Sequence, residues 1–161
     1  MSENEANRGI AHLRANEGKP LWVVDDLITL KVRSADTDGT FALLEERTPP
    51  QGGPPPHIHH QEDEALYVLE GELEFLVDER TIRASAGSFF YVPRGTLHTF
   101  KNVGTSPSRV LGVISPAGLE KFFEEVGEPA TEGASAPEGP PDVEKLIATA
   151  RKWRRRQRSA T

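Results

Sequence analysis

The chain has 161 residues, carries 25 acidic against 19 basic side chains for a net charge of −6, and contains no cysteine. That length makes one domain with tails, long enough to bury a hydrophobic core without covalent staples. The missing cysteine excludes disulfides, zinc–thiolate sites, iron–sulfur clusters and thiol catalysis.

Residues 1–20 read as a loosely ordered N-terminal segment. Met1 to Asn16 is polar with no apolar core segment, so no signal peptide is expected there. No run approaches membrane-spanning length, and the expected location is the cytoplasm. From Leu21 the pattern becomes short strands with turn residues between them, the mark of a barrel or sandwich. Ile28, Leu30 and Val32 alternate with Thr29, Lys31 and Arg33, which predicts a half-buried strand. Asp36, Asp38 and Gly39 make a turn before a strand over Phe41 to Arg47. Pro49 to Pro56 cannot be a central strand, because proline lacks the N–H donor, and reads as an extended loop.

Glu64 to Leu69 and Leu73 to Val77 flank Glu70-Gly71, a hairpin-like pair. Further strands are expected at Thr81 to Arg83, Phe89 to Val92, Thr96 to Lys101 and Arg109 to Ile114. The period then changes. Leu119, Phe122, Phe123 and Val126 follow helical spacing, ended by Gly127 and Pro129. Residues 128–141 form a linker rich in Pro, Gly, Ala and Ser. Asp142 caps a second helix with Val143, Leu146 and Ile147 on one face and Trp153 near its end. The organisation is therefore a strand-rich unit over 21–115, a helix packed on it over 116–127, the linker, and a C-terminal helix with a basic tail over 142–161.

Residues 151–161 hold six basic and no acidic side chains, so the remainder carries 13 basic against 25 acidic. An acidic body argues against general nucleic-acid binding. The tail reads as a solvated helix end, with RNA, an anionic surface or the body of the protein as its alternative contacts.

One constellation carries chemistry. His57 and His59 are two apart, and alternate residues of a strand share a face. Glu64 supplies a carboxylate at the start of the next apolar run, and His98 a third imidazole. Three imidazoles and one carboxylate form a first-row transition-metal set, too rich in nitrogen for Mg or Ca. Four donors leave open positions on a five- or six-coordinate ion, as in catalytic sites. His60 is read as a surface histidine, and Glu62 and Asp63 as residues of a solvated connection, with a bond from either to an imidazole N–H as the alternative. By parity with Glu64 and His98, Leu66, Val68 and Phe100 face inward. Leu73, Phe75 and Val77 form one face of the next strand, with either Phe89 and Tyr91 or Phe90 and Val92 beside them. Leu66, Val68, Phe75 and Phe100 are the expected substrate pocket, and Phe122 and Phe123 either cap its mouth or serve as plain helix packing.

These residues resemble the cupin superfamily. Its first motif runs Gly, His-x-His, Glu and Gly, met here by His57, His59, Glu64 and Gly71, with Gly52 one residue closer to His57 than usual. Its second runs Gly, Pro, Gly, His and Asn, met by Gly87, Pro93, Gly95, His98 and Asn102. The resemblance implies an all-β, antiparallel jelly-roll barrel with a C-terminal helical extension. It implies one divalent transition metal ion (Fe, Mn, Co, Ni, Cu or Zn) on His57, His59, Glu64 and His98. Asn102 is read as a structural residue.

The layout is similar to bacterial quercetin dioxygenase-like cupins. There the metal takes a flavonol hydroxyl, the carboxylate accepts its proton, and dioxygen opens the ring. Glu64 would thus be ligand and catalytic base. The expected activity is a dioxygenase acting on a flavonol-like or related aromatic hydroxy-ketone. Two alternatives stand beside it: a non-redox isomerase or decarboxylase of a small polar substrate, which would want basic groups inside the barrel (Arg33, Arg47, Arg83 and Arg94 being candidates), and a cupin that binds metal and small molecules without turnover. The expected partners are a small-molecule substrate, dioxygen in the oxidative case and a second copy in a homodimer, with no nucleic acid and no membrane.

Overall fold

Strict alternation builds the sheets. In the computed structural model, which describes residues 9–131, 135–138 and 142–159, most long strands bury alternate side chains. The strands are β1 (Lys19–Val23), β2 (Asp26–Val32), β3 (Ala42–Thr48), β4 (His57–Ile58), β5 (Asp63–Glu70), β6 (Glu72–Val77), β7 (Arg80–Ser85), β8 (Phe89–Val92), β9 (Leu97–Asn102), β10 (Ser108–Ser115) and β11 (Glu128–Pro129). The helices are α1 (Ser34–Thr37), α2 (Glu120–Val126) and α3 (Val143–Ser159).

Two antiparallel sheets face each other, and they do not close into one hydrogen-bonded barrel. One has seven strands in the order β11-β1-β2-β3-β10-β5-β8, and the other four in the order β4-β9-β6-β7. The architecture is the expected all-β jelly roll in the form of a two-sheet sandwich. Inward residues of the two sheets make the core in two parts. Leu21, Ile28, Leu30, Leu44 and Ile114 pack with Leu119 and Val126 beneath the helices. Leu66, Val68, Leu73, Phe75, Phe100 and Val110 fill the other part. There Phe75 stacks on Phe90 at 3.9 Å between ring centroids. Each such side chain contributes about 1.5–3 kcal/mol by leaving water. Phe90 and Val92 are the inward pair of β8, while Phe89 and Tyr91 are each 60% exposed.

Two backbone positions need glycine. Gly53 has φ +147°, and a Cβ there would sit 2.0 Å from the Phe100 carbonyl oxygen. Gly53, rather than Gly52, is thus the position where the loop before His57 crosses β9. Gly71 has φ +100° in the β5–β6 turn and lies against Ser108.

Asn102 is fully buried and holds three strand ends together. Its amide donates to the Thr48 and Ser106 carbonyls at 3.0 and 2.9 Å and accepts from the Gly104 N–H at 2.9 Å. Glu120, also buried, accepts from the Ser34 and Gly118 N–H groups and so pins α2 to α1.

Three sequence expectations need correction. The segment read as a turn around Asp36 includes the short helix α1. The linker expected to begin at residue 128 begins with strand β11, which pairs Pro129 with Leu21 at the sheet edge, where a proline needs no donor. The basic helix end is not merely solvated. Arg156 pairs with Glu125 of α2 at 3.0 Å, Lys152 reaches the same carboxylate at 3.6 Å, and Trp153 lies 6.5 Å from Phe122. Residues 1–8 of the N-terminal segment, 132–134 and 139–141 of the linker, and 160–161 of the tail lie outside the described residues. No helix among the described residues is long and apolar enough to cross a membrane.

Candidate metal centre

The four candidate ligands come from both sheets. His57 on β4 is the direct cross-strand partner of His98 on β9, so both imidazoles leave the four-stranded sheet on one face. His59 follows one residue after β4 ends and keeps the same direction. Glu64 projects from β5 of the seven-stranded sheet, opposite Ile114 and Val92. The donor atoms of His57, His59, Glu64 and His98 all lie within 4.8 Å of one another. Ring centroids are separated by 4.8 Å (His57–His59), 4.3 Å (His57–His98) and 5.2 Å (His59–His98).

Two rings are oriented by the backbone. His57 Nδ1 bonds to the Pro55 carbonyl at 2.8 Å, and His98 Nδ1 to the Thr96 carbonyl at 2.9 Å. Each bond makes Nδ1 the donor to its carbonyl and turns Nε2 toward the cluster, where on His98 it donates to Glu64 without a metal and would give its lone pair to an ion. His98 Nε2 lies 2.9 Å and His59 Nε2 3.6 Å from Glu64 Oε2.

The electrostatics suit a cation. Burial pushes the Glu64 carboxyl up, but bonds from His59 and His98 outweigh it and hold it below the usual carboxylate range. Burial lowers His57 to about 4, helped by the neighbouring imidazoles, so that ring is neutral at pH 7 and able to ligate. His98 is pushed down by burial but raised on balance by Glu64 and the Thr96 carbonyl. The donor set, its spacing and its second layer of carbonyls fit one divalent transition ion.

The cluster opens on a cavity of about 210 Å³. Leu66 and Phe100 line it, as do Ile28, Phe122 and Phe123. Val68 and Phe75, also expected in the pocket, are fully buried in the core part behind Phe100 and are not among its lining residues. Their parity is inward, but they lie farther along the strands than the metal ligands. Glu62, read as solvated, is buried and lines the cavity, whereas His60 is exposed at its edge. Asp63 is held by Arg94 through the backbone N–H at 2.9 Å and the guanidinium at 3.1 Å, which brings its carboxyl down to about 2.

The sequence reading missed two parts of the wall. Leu146, Ala150, Trp153 and Arg154 of α3 close one side. Asp26 and Glu46 add two acidic groups. Strand parity could have found the latter pair, since Asp26 shares its face with Ile28 and Leu30, and Glu46 with Leu44 and Thr48. Arg33, Arg47, Arg83 and Arg94 do not line the cavity.

Comparison with known proteins now decides the family. Residues 44–114 match the family model described as a cupin domain, and they include all four ligands. That stretch is a cupin domain. The chain is 29% identical over 117 residues to quercetin 2,3-dioxygenase of Bacillus subtilis (strain 168), an alignment covering 73% of this chain and 34% of the relative. It is 42% identical over 71 residues to germin-like protein subfamily 2 member 2 of Arabidopsis thaliana, covering 41% and 32%. The chain thus spans about a third of the length of these curated relatives. Its fold matches the crystal structure of a predicted oxalate decarboxylase from Thermotoga maritima with a TM-score of 0.62 at 20% identity, covering 65% of this chain and 98% of that one.

Proposed function

We propose that this cupin is a metal-dependent dioxygenase acting on a flavonol-like or related aromatic hydroxy-ketone. The observation that carries the reading is the joint placement of three imidazoles and an ionised carboxylate at the wall of a largely apolar cavity. The relative from Bacillus subtilis that is named for action on quercetin supports the substrate class.

His57, His59, Glu64 and His98 would hold the ion. Bound there, a divalent transition metal supplies Lewis acidity toward a hydroxyl oxygen and a redox partner for dioxygen. Glu64 then has a second role, because its ionised carboxylate can accept the proton of the substrate hydroxyl. Leu66 and Phe100 flank a planar ring, and Phe122, Phe123 and Trp153 exclude water from it. The volume is below the usual range for drug-sized ligands, so a compact, planar ligand fits best, and α3 sets how much larger it can be.

Arg154 at the cavity wall favours the second reading, a non-redox isomerase or decarboxylase of a small acid. Oxygen uptake separates the two. Protein reconstituted with Fe, Mn, Co, Ni or Cu should consume oxygen when quercetin is added, and Glu64→Gln should lower the rate about 100-fold or more. Stoichiometric metal without uptake in any of these forms would overturn the dioxygenase reading and leave a non-redox enzyme or a binding protein.

The subunit arrangement we propose is a homodimer. Tyr67 faces Phe89 and Ala65 faces Tyr91 across the β5–β8 pair, so these aromatics share the outer face at an edge of the seven-stranded sheet. An exposed aromatic patch beside an unpaired edge strand invites a second copy.

A further inference from the structure

Glu46 and Asp26 need an explanation that the metal site does not supply. Ile28 and Glu46 are cross-strand partners on β2 and β3, and Asp26 shares their inward face. Both acidic residues line the cavity that holds the metal cluster. Asp26 is only 6% exposed, and its Oδ1 has no hydrogen-bond partner. Thr48, next on the same face, is fully buried with its hydroxyl also unpartnered. Glu46 is more open than Asp26, on the side of the cavity. Two carboxyls placed among Ile28, Leu66 and Phe122 cost free energy that a matching ligand group would offset.

We propose that Glu46, backed by Asp26, recognises a substrate hydroxyl remote from the metal centre. The reading rests on the proposed function and narrows its substrate class to rings carrying a second hydroxyl. The two carboxyls line one cavity wall, the buried Asp26 Oδ1 lacks a partner, and burial raises both groups, Glu46 further through the charges of Asp26 and Glu64. Such a pair shares a proton and offers one donor and one acceptor, which is what a phenolic hydroxyl matches. An ammonium group would instead require both carboxyls to be ionised. The apolar surroundings make an unmatched carboxyl costly, so a ligand lacking the hydroxyl is penalised more than a ligand bearing it is rewarded.

The test compares two flavonols on the full-length, manganese-reconstituted protein. Quercetin carries remote hydroxyls, whereas 3-hydroxyflavone keeps only the metal-binding pair of oxygens. Dissociation constants are measured by fluorescence for wild type, Glu46→Leu and the near-isosteric Glu46→Gln, with circular dichroism to check folding. Wild type should prefer quercetin about ten-fold. Glu46→Leu should weaken quercetin alone and bring the two ligands within about two-fold, while Glu46→Gln should retain part of the preference. Equal weakening of both ligands, or none, in a folded variant would overturn the role of Glu46. Equal binding of both ligands by wild type would overturn it while leaving the proposed function intact. Metal-loaded wild type that binds neither ligand would overturn both.

Discussion

His98 Nε2 lies 2.9 Å from Glu64 Oε2, and the contact joins the four-stranded sheet to the seven-stranded one. The residues placed to hold an ion therefore also clamp the sandwich.

Removing His98 should damage both functions. In the metal-free protein, His98→Ala leaves the Glu64 carboxylate with His59 alone at 3.6 Å. Urea unfolding should show a loss of about 3 kcal/mol, in the range for breaking a buried ion pair. Metal affinity, read by competition with a chromophoric chelator, should fall at least about ten-fold. Unchanged affinity would remove His98 from the ligand set.

Asp26 gives a pH dependence of defined sign. Burial raises its folded pKa from 3.8 to about 6, in spite of the neighbouring Thr48 hydroxyl and Glu46 carboxyl, which pull it down. The folded state thus binds more protons than the unfolded one between those values. The stability this group contributes is fully present below about pH 4 and is lost as pH rises through about 6. Glu46, raised by burial and by the charges of Asp26 and Glu64, extends the loss to higher pH. Urea titrations at pH 4.5 and 7.5 should show Asp26→Asn losing less stability with rising pH than wild type, by at most about 3 kcal/mol. Parallel pH profiles would show that Asp26 has an ordinary pKa.

Asn102→Ala separates folding from chemistry. It leaves the Thr48 and Ser106 carbonyls and the Gly104 N–H without their partner in a buried corner. The expected cost is about 3 kcal/mol in denaturant unfolding, with metal stoichiometry retained below the transition. Loss of metal with unchanged stability would instead give Asn102 a direct role in the site.

The outer aromatic face predicts the assembly. Sedimentation equilibrium should give a dimer for wild type and a monomer for Phe89→Lys combined with Tyr91→Lys, both positions being 60% exposed in the single chain. A wild-type monomer at about 100 μM would exclude the dimer, since that concentration populates any dimer with a micromolar dissociation constant.

The ligands were legible in the sequence because their geometry is local. A two-residue step brings His57 and His59 to one face, and the turns at Gly71 and Gly95 set the strands that carry Glu64 and His98. Parity also turned Leu66 and Phe100 inward, and both line the cavity. It failed on depth: Val68 and Phe75 point inward as expected but sit beyond the cavity, and position along the barrel axis has no period in sequence. Polarity hid Glu46, because a glutamate in an alternating strand is ordinarily on the water side. Trp153 could not be placed, because its packing on Phe122 crosses a linker whose sequence does not fix where the helix returns.

The central claim is that His57, His59, Glu64 and His98 hold a single transition metal ion. Elemental analysis of untagged protein, as purified and after anaerobic reconstitution, tests it most directly when run beside His57→Ala combined with His98→Ala. The account predicts close to one equivalent of Fe, Mn, Co, Ni, Cu or Zn per chain in wild type and under about a tenth in the variant. Wild type that stays metal-free after reconstitution, or a variant that binds as much metal as wild type, would contradict it.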